Sequence, residues 1–377
     1  MSSTAAALCA TVPRLRALPL TAQPAAEASD LPVIEAQIID PLREPRWDEW
    51  ISGHPDATAF HTSAWARVLV ETYEHVPCYL SLSVGKQPLA LIPMMEVRTL
   101  LTRGRGVCLP FSDFCTPLQL TNFGSALIIS KLRHVARQRE WRYFELRDAS
   151  LLAEGAPVSE SYYGHILDLA AGAHNLENNY SPAVRRALRK GHRNGLTATI
   201  CTSAEATRQF YRLHVRTRRK HGLPPQPFSF FRRIHRYIIE PGNGFVALVM
   251  NGVTPVAAAM FFKFGSRAIY KFGASDERCQ HLRGNNLAMA EAINHLSASG
   301  VHTLHFGRTE KTNQGLRRFK LSWGAREHEI SYGKFSISAD TWVEGRPPSF
   351  TLHNRVFRNL PAPVNRLAGV LLYPHLD

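Results

Sequence analysis

Long apolar segments are missing from the 377-residue chain. A helix that spans a membrane needs about 20 consecutive apolar residues, and the nearest approach, residues 367–373, is far shorter. We therefore predict a cytoplasmic protein, with peripheral contact at the inner face of the membrane as a second location. Residues 1–30 are rich in Ala and Pro but have no continuous apolar core, and we interpret them as a disordered leader.

Cysteine is scarce, and its spacing forms no motif. The six cysteines include no Cys-x-x-Cys pair, which is typical of reduced cytoplasmic thiols and predicts neither a disulfide framework nor a zinc site. The 17 histidines include no His-Glu-x-x-His motif. Neither a Gly-x-Ser-x-Gly elbow nor a kinase signature occurs. We predict no metal site.

Acidic residues are also few. The chain has 30 Asp and Glu against 45 Lys and Arg, a formal net charge of +15. Residues 181–240 alone contain fourteen basic and two acidic residues. A charge run is usually a solvated helix face, but this concentration favours a polyanionic partner. The candidates are a phosphorylated cofactor, a nucleotide-linked substrate, tRNA and an anionic membrane surface.

The most informative part of the sequence lies between residues 245 and 323. Residues 245–250 and 256–262 are rich in β-forming residues, and Asn251-Gly252 between them is a strong hairpin signal. A third strand is predicted at residues 267–272. The pattern predicts three consecutive antiparallel strands.

A loop with Arg283 and Gly284 follows these strands and leads into a predicted helix that ends at Gly300. The first N–H groups of a helix have no partner within it, so such a place suits a pyrophosphate or another anion. The plainer interpretation is an ordinary strand-to-helix turn. A short strand at residues 301–306 and an amphipathic segment at 314–323 complete the unit.

The same order of elements occurs earlier in the chain. Residues 84–95 correspond to residues 251–262, and a strand at residues 143–146 corresponds to one at 303–306. A chain of this length is expected to form two domains. We predict a structural duplication in an α/β (α+β) fold, each copy a mixed, mostly antiparallel sheet flanked by helices.

Four motifs resemble those of a known family, and the last is the most specific. They are residues 218–227, 284–287, 306–309 and 315–324. These motifs resemble the FemAB-like or BioF2-like branch of the GNAT acyltransferases, whose members include lipid II glycyltransferase-like proteins. The resemblance implies two tandem GNAT-like domains, which we place at residues 31–165 and 166–338, with a C-terminal extension at 339–377.

The resemblance also implies a reaction, the transfer of an acyl group to an amine. We expect acyl-CoA, such as acetyl-CoA, as the donor. The expected acceptor is a small or lipid-linked amine from a cell-envelope or exopolysaccharide precursor, and the expected state is a monomer. Residues 278–286 fit the phosphate loop of simple GNAT enzymes only loosely, which leaves aminoacyl-tRNA open as the donor of a Fem-type peptidyltransferase. The other alternative is a non-catalytic binder of polyanions or membrane surfaces.

Three residues are predicted to be catalytic. Asp113 falls where Fem ligases carry an acidic residue and is a candidate general base, although it could equally cap a turn. Tyr270 could protonate the leaving group, or be a core aromatic. Lys320 matches a family lysine near the donor's reacting end, and its alternative is a solvated helix lysine.

Further residues are predicted to bind ligands. The expected contacts of the donor are Arg283, Gly284, Asn285, Asn286, Lys271, Phe272 and Arg308. The expected contacts of the acceptor are Arg219, Lys220, His221 and Phe319. Arg308 ends a strand where ligand sites of α/β proteins gather, and a salt bridge to Glu310 or Asp276 would be its structural explanation.

Overall fold

The structure is a computed structural model, and it describes residues 34–85, 87–99, 102–119, 124–170, 172–345 and 356–376. The predicted leader at residues 1–30 lies outside the described residues. From Ile34 onward the chain forms one compact unit. The predicted domain boundary at residues 165–166 falls inside a strand, and the boundaries stay a prediction.

The strands are β1 (Glu35–Ile39), β2 (Val76–Pro77), β3 (Tyr79–Val84), β4 (Gln87–Ile92), β5 (Met95–Thr99), β6 (Thr102–Val107), β7 (Leu118–Gln119), β8 (Tyr143–Leu146), β9 (Glu160–Asp168), β10 (Leu196–Cys201), β11 (Gly244–Asn251), β12 (Thr254–Phe264), β13 (Arg267–Ser275), β14 (Thr303–His305), β15 (Thr309–Glu310), β16 (Arg326–Ser336) and β17 (Thr341–Trp342). The two longest strands, β12 and β16, lie in the second half of the chain.

The helices lie between and around these strands. They are α1 (Trp47–Ser52), α2 (Ser63–Tyr73), α3 (Ser125–Gln138), α4 (Ala173–Asn179), α5 (Pro182–Arg193), α6 (Ala204–Lys220), α7 (Phe228–Ile234), α8 (Gly284–Ala298), α9 (Gln314–Leu321) and α10 (Ala362–Leu372). One π turn (His235–Ile239) continues α7, and short 3-10 turns occupy Ala59–His61, Ala149–Leu151, Glu277–Leu282 and Tyr373–His375.

The strands form a small sheet, in the order β1-β3-β4-β7, and a large one, in the order β10-β11-β12-β13-β14-β9-β16-β8-β6-β5-β2. Each half of the chain contains one parallel pair joined by a helix. These pairs are β6 and β8, joined by α3, and β13 and β14, joined by α8. The other pairings are antiparallel, so the predicted fold class is confirmed.

In the second half of the chain, the sequence correctly predicted the turn at Gly252 and the end of the helix before Gly300. The turn between β11 and β12 holds Gly252 at φ 57°, and Gly300 follows α8 at φ 73°, both in the left-handed region that glycine tolerates. The corresponding segment of the first half differs. From the sequence we expect one returning strand at residues 89–95, which is wrong, because β4 ends at Ile92 and Pro93, which has no N–H for a ladder, precedes β5.

The large sheet separates two hydrophobic clusters. Along β11, Val246 and Leu248 pack into one cluster with the aromatic residues of α7, and Ala247 and Val249 pack into the other with α8. The alternation follows from the two-residue period of a strand. Helices α6 and α7 therefore cover one face and α8 covers the other. Within the described residues, every helix is too short or too polar to cross a bilayer.

Candidate active site

The parallel strands β13 and β14 separate after a short paired region. Their pairing runs from Arg267 with Thr303 to Ile269 with His305, and the chains then diverge. On the other side of β13, Tyr270 pairs with Phe261 and Phe272 with Met260, so Lys271 is an extra residue without a partner on β12. Such a bulge redirects the inserted side chain. The divergence leaves a cavity of about 330 Å³.

An ion pair lies at the apex of this cavity. Lys271 Nζ donates to Asp113 Oδ2 at 2.7 Å, and both side chains are almost buried. Burial acts to raise the pKa of Asp113, but the charges of Lys271 and Arg308 outweigh it and hold the pKa below its ordinary value. Asp113 is therefore ionised at neutral pH and is a weak base. The turn-cap interpretation is insufficient, because the carboxylate contacts a buried lysine.

Lys320 approaches the same point from α9. Its Nζ donates to the carbonyl oxygens of Gly307 at 2.8 Å and Arg308 at 3.1 Å. Only 2% of the residue is exposed, so the solvated-lysine interpretation is wrong. Burial, with the positive charge of Lys271, lowers the pKa of Lys320 to about 7, against the opposing attraction of Asp113. An amine with this pKa can take up or release a proton at neutral pH.

Tyr270 lines the cavity with a neutral phenol. Burial raises its pKa to about 12, so the hydroxyl keeps its proton at neutral pH. The hydroxyl lies over Gly273, where a Cβ atom would come within 1.9 Å of it. Glycine at position 273 is thus required for this orientation of Tyr270 and keeps the wall of the cavity thin.

Arg308 is held by aromatic residues and not by the acids first considered. Its Nη1 donates to the Tyr332 hydroxyl at 2.9 Å, and its guanidinium lies 4.5 Å from the centre of the Tyr162 ring. Tyr332 in turn donates to the backbone carbonyl of Asp113 at 2.6 Å. Asp276 instead pairs with Arg216 and Arg278. Arg308 thereby connects the first half of the chain to the second.

The first turn of α8 opens beside the cavity. Arg283 has a left-handed backbone, φ 71°, and no side chain caps the helix. Gly284 is buried against β12, where an added Cβ would lie 3.0 Å from Ala257 Cβ, while Asn285 is exposed and lines the cavity. Free N–H groups in this position can bind a phosphate.

Eight of the predicted site residues line the cavity together. They are Asp113, Lys220, His221, Tyr270, Lys271, Asn285, Arg308 and Lys320. The others lie outside its wall. Arg283, Gly284 and Asn286 begin α8. Arg219 donates to the carbonyl of Arg358, and Phe272 and Phe319 pack on other aromatic rings.

The cavity also has lining residues that the sequence did not predict. Thr217 and Ser275 exchange two hydrogen bonds across it, at 3.0 and 3.2 Å, between α6 and β13. The helical spacing could have identified Thr217, because it precedes Lys220 and His221 by three and four residues and shares their face of α6.

A second cavity of about 410 Å³ lies next to the first. Asp113 lines the first cavity and the next residue, Phe114, lines the second. Likewise, Phe306 lines the first cavity and His305 lines the second. Adjacent residues of two segments therefore line different cavities. His305 is 7% exposed, and its Nδ1 accepts from the N–H of Gly307 at 2.9 Å.

The second cavity carries mostly negative charge. Its wall contains Asp56, Asp148 and Glu329 and one guanidinium, that of Arg267, which is 3.8 Å from Asp56. Lys311, outside the wall, pairs with Glu329 at 3.2 Å. Burial holds the pKa of His305 well below its ordinary value, so that ring is neutral. An acidic cavity in a strongly basic protein favours a cationic ligand. Within the described residues, no three His, Cys, Asp or Glu side chains are grouped to hold a metal ion.

Comparisons with known proteins address the fold. Residues 179–321 match the family described as "Acetyltransferase (GNAT) domain". This segment includes β13, α8, β14, α9 and all the predicted site residues except Asp113. A comparison with curated protein sequences finds no match.

Several solved structures are similar at low sequence identity. FemX matches with a TM-score of 0.60 at 13% identity, over 79% of this chain and 96% of that one. A tandem GNAT protein from the clavulanic acid biosynthesis pathway matches with 0.51 at 11% identity, over 81% and 99%. L-PGS from Bacillus licheniformis matches with 0.50 at 12% identity, over 84% and 96%. These likenesses establish a shared tandem fold.

Proposed function

We propose that the chain, whose residues 179–321 match an acetyltransferase (GNAT) domain and whose fold is similar to that of FemX, transfers an acyl group from an activated donor to an amine. The observation that carries the proposal is Lys320, a buried lysine whose Nζ lies 2.8 Å from the Gly307 carbonyl oxygen, where β13 and β14 have separated. Acyl-CoA is the favoured donor, because the first turn of α8, which no side chain caps, lies beside the cavity and suits its phosphates.

In the proposed reaction, Lys320, Tyr270 and Asp113 have different roles. The acceptor ammonium first releases one proton to solvent. The neutral nitrogen then attacks the acyl carbon, the new N–C bond forms, and Lys320 takes the second proton that the nitrogen loses. As the C–S bond breaks, Tyr270 gives its proton to the leaving sulfur. Asp113 serves as the charge partner of Lys271, and its low pKa argues against the role of base first considered. Lys320 and Tyr270 then regain their resting protonation from solvent.

The acceptor enters, in this proposal, through the acidic second cavity. An amine is mostly an ammonium ion at neutral pH, and Asp56, Asp148 and Glu329 would attract it. In this proposal the acceptor lies next to the first cavity, because the adjacent residues Asp113 and Phe114 line one cavity each. We propose as its source a cell-envelope or exopolysaccharide precursor, small or lipid-linked, acted on by a cytoplasmic monomer.

The test is thiol release from acetyl-CoA with a panel of amines. Lys320→Met should abolish turnover while the circular dichroism spectrum is retained. Lys190→Met is the matched control, since Lys190 is an exposed lysine on α5, and it should retain full turnover. Equal turnover of both variants would overturn the proposal.

A second candidate donor is aminoacyl-tRNA, favoured by the basic residues of α5 and α6. Transfer that requires charged tRNA and is lost after RNase treatment would identify it. If no donor is consumed, and the protein shows only salt-dependent binding to nucleic acid or anionic lipid, the non-catalytic alternative holds.

A further inference from the structure

The C-terminal helix α10 is firmly attached by one face. Asn365 and Tyr373 are buried on that face, and the Tyr373 hydroxyl donates to the carbonyl of Pro224 at 3.2 Å. Arg218 donates to the same hydroxyl at 2.8 Å. Gly369 lies so close to the loop after α6 that a Cβ would be 1.9 Å from the carbonyl oxygen of Pro225. Residues 365, 369 and 373 follow the four-residue spacing of a helix face.

The opposite face of α10 is apolar and open. Val364 is 47% exposed, Leu367 58%, Val370 49% and Leu371 61%. At 100° per residue these four side chains form a single stripe. Turning the stripe inward would break the contacts of the attached face. A continuous apolar stripe of this kind on a protein surface marks an interaction site.

The segment that carries this stripe is basic. No Asp or Glu occurs between Gly345 and Leu376, whereas Arg358 and Arg366 do. The guanidinium of Arg366 lies over the Tyr211 ring, 5.8 Å from its centre, and Arg219 of α6 contacts the backbone of Arg358. Two copies of the stripe brought together would also bring these arginines together, which opposes self-association.

We propose that α10 is an interfacial helix that inserts its apolar stripe into an anionic phospholipid surface while the flanking arginines contact the headgroups. An exposed apolar face with a basic border is the pattern of helices that lie in the plane of a membrane. Anionic headgroups attract nearby arginines over about a Debye length. The inference concerns binding and is independent of the proposed transfer reaction.

Sedimentation of the full chain with sucrose-loaded vesicles tests this inference. Vesicles of equal parts phosphatidylcholine and phosphatidylglycerol should bind the protein, and pure phosphatidylcholine vesicles should bind it far less. The double variant Leu367→Ser/Leu371→Ser should reduce the partition coefficient at least about tenfold. Val253→Ser is the matched control, because Val253 is 94% exposed in a distant turn, and it should bind as the natural chain does.

A second pair of substitutions tests the charge. Arg358→Gln/Arg366→Gln should weaken binding to the anionic vesicles several-fold and leave the circular dichroism spectrum unchanged. The proposal is overturned if the natural chain stays in the supernatant, or if it binds neutral vesicles equally well. It is also overturned if the leucine variant binds unchanged, or if light scattering shows a dimer that the leucine variant abolishes while vesicle binding is absent.

Discussion

In the proposed reaction, proton transfer depends on one atom, Lys320 Nζ. Its burial holds the pKa near 7, and the neutral amine is the form that accepts a proton. We expect kcat/KM to rise with pH, with its midpoint near 7, and Lys320→Met to lower it by about 10²–10⁴ and to remove the rise. Rate measurements with acceptor amines of different pKa check this, because a midpoint that follows the acceptor contradicts the assignment.

The same pKa makes a prediction about stability. The ordinary pKa of lysine is 10.5 and that of folded Lys320 is about 7, so between these values the unfolded chain binds more protons. The unfolding free energy should therefore increase with pH in this window, by at most about 1.4 kcal/mol per pH unit for one proton. Urea titrations at several pH values should show a smaller slope for Lys320→Met. Equal slopes would argue that Lys320 is solvated.

Removing the carboxylate at position 113 should strand a buried charge. Asp113→Asn leaves Lys271 without its partner, and breaking a buried ion pair in this way costs about 3 kcal/mol. The double variant Asp113→Asn/Lys271→Met should recover much of that stability, although not the turnover. Urea unfolding measures the coupling. Additive effects of the two substitutions would contradict a direct interaction.

At the scale of elements, local signals decided which parts of the fold were predictable. The hairpin at Gly252 and the end of α8 at Gly300 depend on backbone conformations that glycine favours, so neighbouring residues suffice. Strand β16 was not predicted, because its first half (Arg326, Glu327 and Glu329) is polar and shows no apolar alternation. Its pairing with β9 and β8 joins residues far apart in sequence.

The candidate site was also only partly predictable from the sequence. Lys320 was identified because its motif is contiguous and resembles that of a known family. The acidic cavity was not, because Asp56, Asp148 and Glu329 come from three distant segments that only the folded chain brings together. The bulge at Lys271 likewise depends on the register between β12 and β13, which the sequence alone does not specify.

The packing of α10 should require glycine at position 369, because there is no room for a Cβ atom there. Gly369→Ala places a Cβ 1.9 Å from a backbone oxygen, so the helix must shift, at an expected cost of about 1–3 kcal/mol. Limited proteolysis should remove the C-terminal segment faster in this variant. Gly53→Ala is the control, because its Cβ meets nothing within 4 Å and φ is −81°. Equal rates for both variants would contradict the close contact.

At the scale of the whole molecule, β9 and β16 join the two halves of the chain. Strand β9 pairs with β14, β15 and β16, and β16 continues to β8. We therefore expect one cooperative unfolding transition. Buried tryptophans report on both halves, with Trp65 and Trp141 in the first and Trp323 in the second. Tryptophan fluorescence and far-ultraviolet circular dichroism should give coincident urea curves, and two separate midpoints would show independent domains.

The two adjacent cavities have a consequence for turnover. If the donor and the acceptor enter by different cavities and meet where Asp113 and Phe114 adjoin, each product can leave by the route of its reactant and neither obstructs the other. Such an arrangement favours a ternary complex in which either partner arrives first, and it predicts intersecting rather than parallel lines in double-reciprocal plots.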